Sequence, residues 1–81
     1  MSSPKNYSVS KETNRKGKRY YKQWDQTNGY TKVAVHQRNS GNYQVAVSEG
    51  GKTEYLGRNY TNRENARKRA VKWMRNNPQG M

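Results

Sequence analysis

Two short runs of strictly alternating apolar and polar residues constrain this chain more than any other feature of it. Between Tyr30 and Gln37, Thr31, Val33 and Val35 fall on one side and Lys32, Ala34 and His36 on the other. Between Asn42 and Ser48, Tyr43, Val45 and Val47 oppose Gln44, Ala46 and Ser48. A period of two with β-branched residues on the apolar side is the pattern of a half-buried strand and cannot sit still as a helix. Asn39-Ser40-Gly41 separates the runs, and Glu49-Gly50-Gly51 follows the second; both are turn chemistry. A third strand, Lys52 to Gly57, points Leu56 inward and leaves Thr53 and Tyr55 outward. Upstream, Lys18 to Gln26 forms a weaker strand candidate. It joins the first run through Asn28-Gly29, a pair suited to a type I′ hairpin because both central residues take positive φ.

The period then changes. Thr61-Asn62-Arg63-Glu64 matches a capping box, with the Thr hydroxyl accepting from the Glu64 amide and the Glu carboxylate reaching back to the amide of Thr61. Ala66, Ala70, Trp73 and Met74 follow at helical spacing, and Asn77-Pro78 supplies the stop. The stripe predicts a helix whose small residues approach a sheet closely while Trp73 and Met74 cover its far end. Lys68, Lys72 and Arg75 lie on the opposite arc, flanked by Arg69.

These elements predict an α+β fold: a three-stranded antiparallel sheet, four-stranded if the weaker candidate is included, packed on one C-terminal helix. The core is expected to be thin. Among 81 residues there is no Phe and a single Leu, Leu56, so the interior must come from Val, Ala, Met, Trp and Tyr. The sheet-plus-helix domain is expected over residues 20–77, with a tail at 78–81. Residues 1–19 are polar, have only Met1, Tyr7 and Val9 as apolar positions and carry no period, which predicts a disordered basic arm.

Composition excludes several functions. Cysteine is absent and His36 is the only imidazole, so neither a disulfide framework nor a metal site is expected, and no cofactor motif is present. The five carboxylates are scattered at positions 12, 25, 49, 54 and 64, which argues against an enzyme. Gly50-Gly51-Lys52 lacks the longer pattern of a phosphate loop and is a turn. No apolar run reaches the roughly 20 residues of a membrane span, and the first nine residues lack the apolar stretch of a signal peptide. The expectation is a soluble, intracellular monomer, in cytoplasm or nucleoid, with no small-molecule substrate and no membrane partner.

What remains is charge. Seventeen Lys and Arg against five Asp and Glu give a net charge of +12, the footprint of a polyanion binder. One helix can cover only one face of the sheet, so the other stays open. Its expected occupants are Lys32, Ala34, His36, Arg38, Gln44, Ala46, Ser48, Thr53 and Tyr55, mostly donors around two flat alanines. A flat sheet face can present such side chains to base edges in a groove about 12 Å wide. Solvent, or a cover formed by the arm with Tyr20, Tyr21 and Trp24, is the alternative occupant of that face.

The stretch YQVAVSEGGKTEYLGRNYTNRENARKRA, Tyr43 to Ala70, resembles the second half of the AP2/integrase-type DNA-binding domain. The resemblance is carried by an alternating strand, a Gly turn, Leu56-Gly57, and Thr61, Glu64 and Ala66 leading into an Ala-rich helix. It implies a sheet lying in the major groove, with His36, Arg38, Gln44, Ser48, Thr53 and Tyr55 toward the bases. Where that family places several Arg and Trp, this chain has small or neutral residues, which points to backbone-led binding of low specificity. The same segment, with the run Ala66-Arg67-Lys68-Arg69-Ala70, is similar to the C-terminal half of a double-stranded RNA-binding domain. That similarity implies phosphate contacts from the helix. It ranks second because residues 1–19 lack that family's first helix. Duplex DNA is therefore expected ahead of RNA, with Lys32, His36, Arg38, Gln44, Ser48, Thr53 and Tyr55 on the sheet and Lys68, Lys72 and Arg75 on the helix as contacts. A structural nucleoprotein of a virus or chromatin particle is the third reading.

Overall fold

The computed structural model describes residues 4–57 and 59–81. The fold is α+β: five antiparallel strands in simple sequence order, β1 (Tyr7–Thr13), β2 (Tyr21–Gln26), β3 (Lys32–Gln37), β4 (Tyr43–Glu49) and β5 (Lys52–Tyr55), followed by helix α1 (Arg63–Asn76). The sheet thus has more strands than the expected three or four. Lys18–Gln26 supplies β2, and the additional strand lies in the segment expected to be a disordered arm.

That correction has a physical cause. Tyr7 and Val9 are the only apolar side chains of β1, too few to give a readable period. Yet Tyr7 is buried at 3% exposure, with its hydroxyl donating to the Asn77 carbonyl at 2.8 Å. The rest of β1 is held by its backbone ladder to β2, interrupted by a bulge between Val9 and Lys11. Ladder bonds do not depend on side-chain polarity, so a polar sequence can occupy an edge strand. The tail at 78–81 also docks: Gly80 is buried, and the Met81 amide donates to Thr31 Oγ1 at 3.1 Å.

Two turns exchange roles. Neither Asn28 nor Gly29 takes positive φ, and residues 27–31 form a longer loop closed by a bond from the Gln26 amide to the Thr31 carbonyl at 2.9 Å. The Gln26 side chain folds beneath it and fills the space a Cβ at Gly29 would need. The tight two-residue hairpin is instead Gly50-Gly51, with φ of 54° and 87° between the paired residues Glu49 and Lys52. Two consecutive positive φ values are the type I′ requirement, and two glycines meet it without steric cost.

The helix begins one residue later than the capping box implies. Asn62 is the N-cap, and its side chain accepts from the amides of Glu64 at 2.7 Å and Asn65 at 3.4 Å. Asn caps at least as well as Thr, and the shift places Glu64 too early to reach back. Its carboxylate pairs with Arg67 instead, and that hydrogen bond holds it below the usual carboxylate range. At the other end the Asn77 side chain donates to the Trp73 carbonyl at 2.8 Å before Pro78 ends the helix.

α1 packs on β3 and β4. Val33, Val35, Val45 and Val47 meet Ala66, Ala70 and Met74, all with no exposed surface. Trp73, expected to anchor the helix, is only partly buried against this cluster; Met74 is the deep residue. Trp24 is paired with Val33 in register and is 2% exposed, so it belongs to the helix side and does not cover the open face. No described helix is long and apolar enough to cross a membrane.

The aromatics give the fold a pH limit. Burial pushes the phenols of Tyr7, Tyr20 and Tyr21 above their ordinary range, with nearby carboxylates adding to the effect. The folded chain therefore holds these protons more tightly than the unfolded chain. Their contribution to stability is complete below about pH 10, the unfolded phenol value, and is lost as pH rises above it. Thermal midpoints measured between pH 7 and 11.5 should stay level to about pH 10 and then drop alongside the tyrosinate absorbance; a midpoint that stays level to pH 11.5 would contradict the burial of these rings.

Candidate nucleic-acid interface

Strand register decides which side chains share the face turned away from α1. Three rows cross it. Thr13, Tyr21, His36 and Gln44 form the first; Lys11, Gln23, Ala34, Ala46 and Tyr55 the second; Ser8, Asp25, Lys32, Ser48 and Thr53 the third. Of the residues expected on the open face, all but Arg38, which lies just past the end of β3, fall in these rows. The first and third are four residues apart, or about 13 Å along the strands.

The middle row keeps the face flat through Ala34 and Ala46. Along β2 the side chains are fixed to one another: the Tyr21 hydroxyl donates to Gln23 Oε1 at 2.6 Å, and Gln23 Nε2 donates to Asp25 Oδ1 at 2.8 Å. Across β3 and β4, His36 Nε2 lies 3.1 Å from Gln44 Oε1. Asp25 is the one acid in the three rows.

At one end of this face His36, Arg38, Gln44 and Tyr55 converge on a shallow concavity of about 420 Å³, joined by Arg19 and Asn39. The Arg38 guanidinium reaches Asn59 Oδ1 at 3.4 Å, and Tyr55 is 58% exposed. Lys32, Ser48 and Thr53 stand together at the far end. Lys11, Arg19 and Tyr21 also belong to this surface and were not among its expected contacts, and Gln23 lies buried between its Tyr21 and Asp25 partners. Lys11 was hidden by the missing strand. Tyr21 and Gln23 could have been found from the i, i+2 alternation around Trp24, had that strand been given a face. Tyr30, read as the start of a strand, is an 84% exposed loop residue beside Lys32.

Lys68, Lys72 and Arg75 do not join this surface. They line a second concavity of about 740 Å³ on the helix side, with Lys5, Lys22, Arg67, Glu64, Val9, Trp24 and Val71. The cause is dimensional. Four interstrand spacings of about 4.8 Å make the sheet about 19 Å wide, whereas one helix is about 10 Å across with its side chains. Lying on β3 and β4, α1 covers the β1–β2 half of its own face only in part: Tyr7 and Trp24 are buried there, and Val9 stays 41% exposed. A duplex resting on the open face therefore cannot be the one these helix residues touch.

Four of the five acids are engaged within the chain: Glu12 with Lys22, Asp25 with Gln23, Glu49 with Thr31, and Glu64 with Arg67. Among the described residues only two ion pairs form, so most cations face solvent. The loop between β1 and β2 adds Arg15, Lys16, Lys18 and Arg19, all exposed. The chain matches no protein-family model, and the searches of curated proteins and of solved structures returned no significant similarity.

Proposed function

We propose that this chain is a small DNA-binding protein that receives duplex DNA on the open face of its sheet. The observation that carries the reading is the composition of that face: flat, rich in donors, bearing one acid, and exposed in a chain of net charge +12. The resemblance of Tyr43–Ala70 to the AP2/integrase-type domain supports the same face. At about 19 Å the sheet is wider than a major groove of about 12 Å. Strands β2 to β5, about 14 Å across, then face the groove, while Lys11 on β1 lies toward a phosphate ridge. Binding of this kind is led by the backbone, with a few base-edge contacts from Gln44 and its neighbours.

An amide-shift titration with duplex DNA and duplex RNA of equal length tests this. DNA should give the larger shifts, concentrated at Gln44, Thr53 and Tyr55. Tyr55→Ala is expected to weaken binding by about 1–3 kcal/mol, the order of one base-edge or stacking contact. The neutral pair Lys68→Gln with Lys72→Gln, compared at matched salt, should cost less. Loss confined to the helix pair, with RNA preferred, would replace this reading with helix-led recognition of duplex RNA.

A further inference from the structure

We infer that the basic groove between α1 and the β1–β2 half of the sheet takes the phosphate backbone of a second duplex, so that one molecule joins two DNA segments. The inference rests on the open face taking the first. The groove lies on the opposite side of the sheet from that face, because Lys22 and Trp24 pair in register with Val35 and Val33, which carry the helix. Its walls bring Lys22 of β2 toward Lys68, Lys72 and Arg75 of α1. Two acids bear on it, and both are engaged: Glu64 by Arg67 and Glu12 by Lys22.

The chemistry selects the occupant. An apolar or amphipathic protein segment needs a buried anchor pocket. Here the one large ring is sealed: Trp24 is 2% exposed beneath Lys22, whose Nζ sits 5.2 Å from the ring centroid, and the rest of the apolar lining is Pro4, Val9 and Val71. A groove that adds Lys5, Lys22, Arg67, Lys68, Lys72 and Arg75 to this lining suits a chain of phosphates, which is held by charge. DNA stiffness then requires two segments. A duplex with a persistence length of about 150 bp cannot turn back on itself around a body of 34 × 24 × 21 Å.

Bridging is measured by asking whether the protein holds a fluorescent duplex on beads that carry a second, immobilised duplex, with single-duplex affinity read separately by anisotropy. The wild-type chain should retain the fluorescent duplex. The variant Lys68→Gln/Lys72→Gln/Arg75→Gln changes three exposed side chains, and an unchanged melting temperature confirms its fold. It should still bind one duplex and no longer hold two. Normal single-duplex binding without wild-type bridging would overturn this inference and leave the proposed function standing. Bridging that persists in the triple variant would also overturn it, because self-association or another surface would then be responsible. Absence of single-duplex binding by the wild-type chain would remove both.

Discussion

Raising salt from 50 to 200 mM is expected to weaken duplex binding about a thousandfold if roughly six phosphates are neutralised, since the logarithm of affinity falls by about 0.9 per phosphate for each decade of salt. The chain is built for a steep response. It has seventeen cations and five acids, and four of those acids are occupied by partners within the fold. Cations on the β1–β2 loop, on the open face and in the helix-side groove are left to meet an external anion. Base-edge hydrogen bonds release no counterions, so a protein relying mainly on Gln44 and Thr53 would give a shallow line. Anisotropy titrations at five or so salt concentrations provide the slope, and a value near zero would rule out charge-led binding.

Met74→Ala should cost about 2–5 kcal/mol, the range for truncating a fully buried aliphatic side chain and leaving part of its volume empty. A chain of this size has a total stability of about 4–12 kcal/mol, so at the middle of both ranges the loss is about two fifths of it. Met74 has no exposed surface and sits where α1 meets the four valines of β3 and β4. Its neighbours there, Ala66 and Ala70, are too small to move into the gap. Trp73 is larger but only half-buried, so Trp73→Ala should be milder despite removing more atoms. Urea unfolding of both variants reads this directly, as a fall in midpoint with little change in slope. A larger loss at Trp73 would mean that the helix is rotated about its axis relative to the arrangement described here.

Elements that carry their own period were legible in the order of residues alone. Thr31, Val33, Val35, Val45 and Val47 alternate, and all are buried without exposed surface. Ala66, Ala70 and Met74 repeat at helical spacing, and all face the sheet. The outward positions Lys32, His36, Gln44, Ser48, Thr53 and Tyr55 follow from the same alternation, because a strand that buries one side must expose the other. The remainder came from how the elements assemble. β1 exists because β2 offers it a ladder, and five polar side chains gave no sign of that pairing. The hairpin geometry fell to Gly50-Gly51, since the loop at Asn28-Gly29 had to accommodate the Gln26 side chain and the docked tail. The two added strands widened the sheet beyond what one helix can cover. That mismatch of about 19 Å against 10 Å left a basic groove beside the helix, and because one helix covers one face, the sheet and helix candidates stand on opposite sides. Periodicity is a local property that one strand or helix displays alone. Edge pairing, coverage and the side on which a charge emerges depend on how many elements assemble, and only the assembled sheet holds that information.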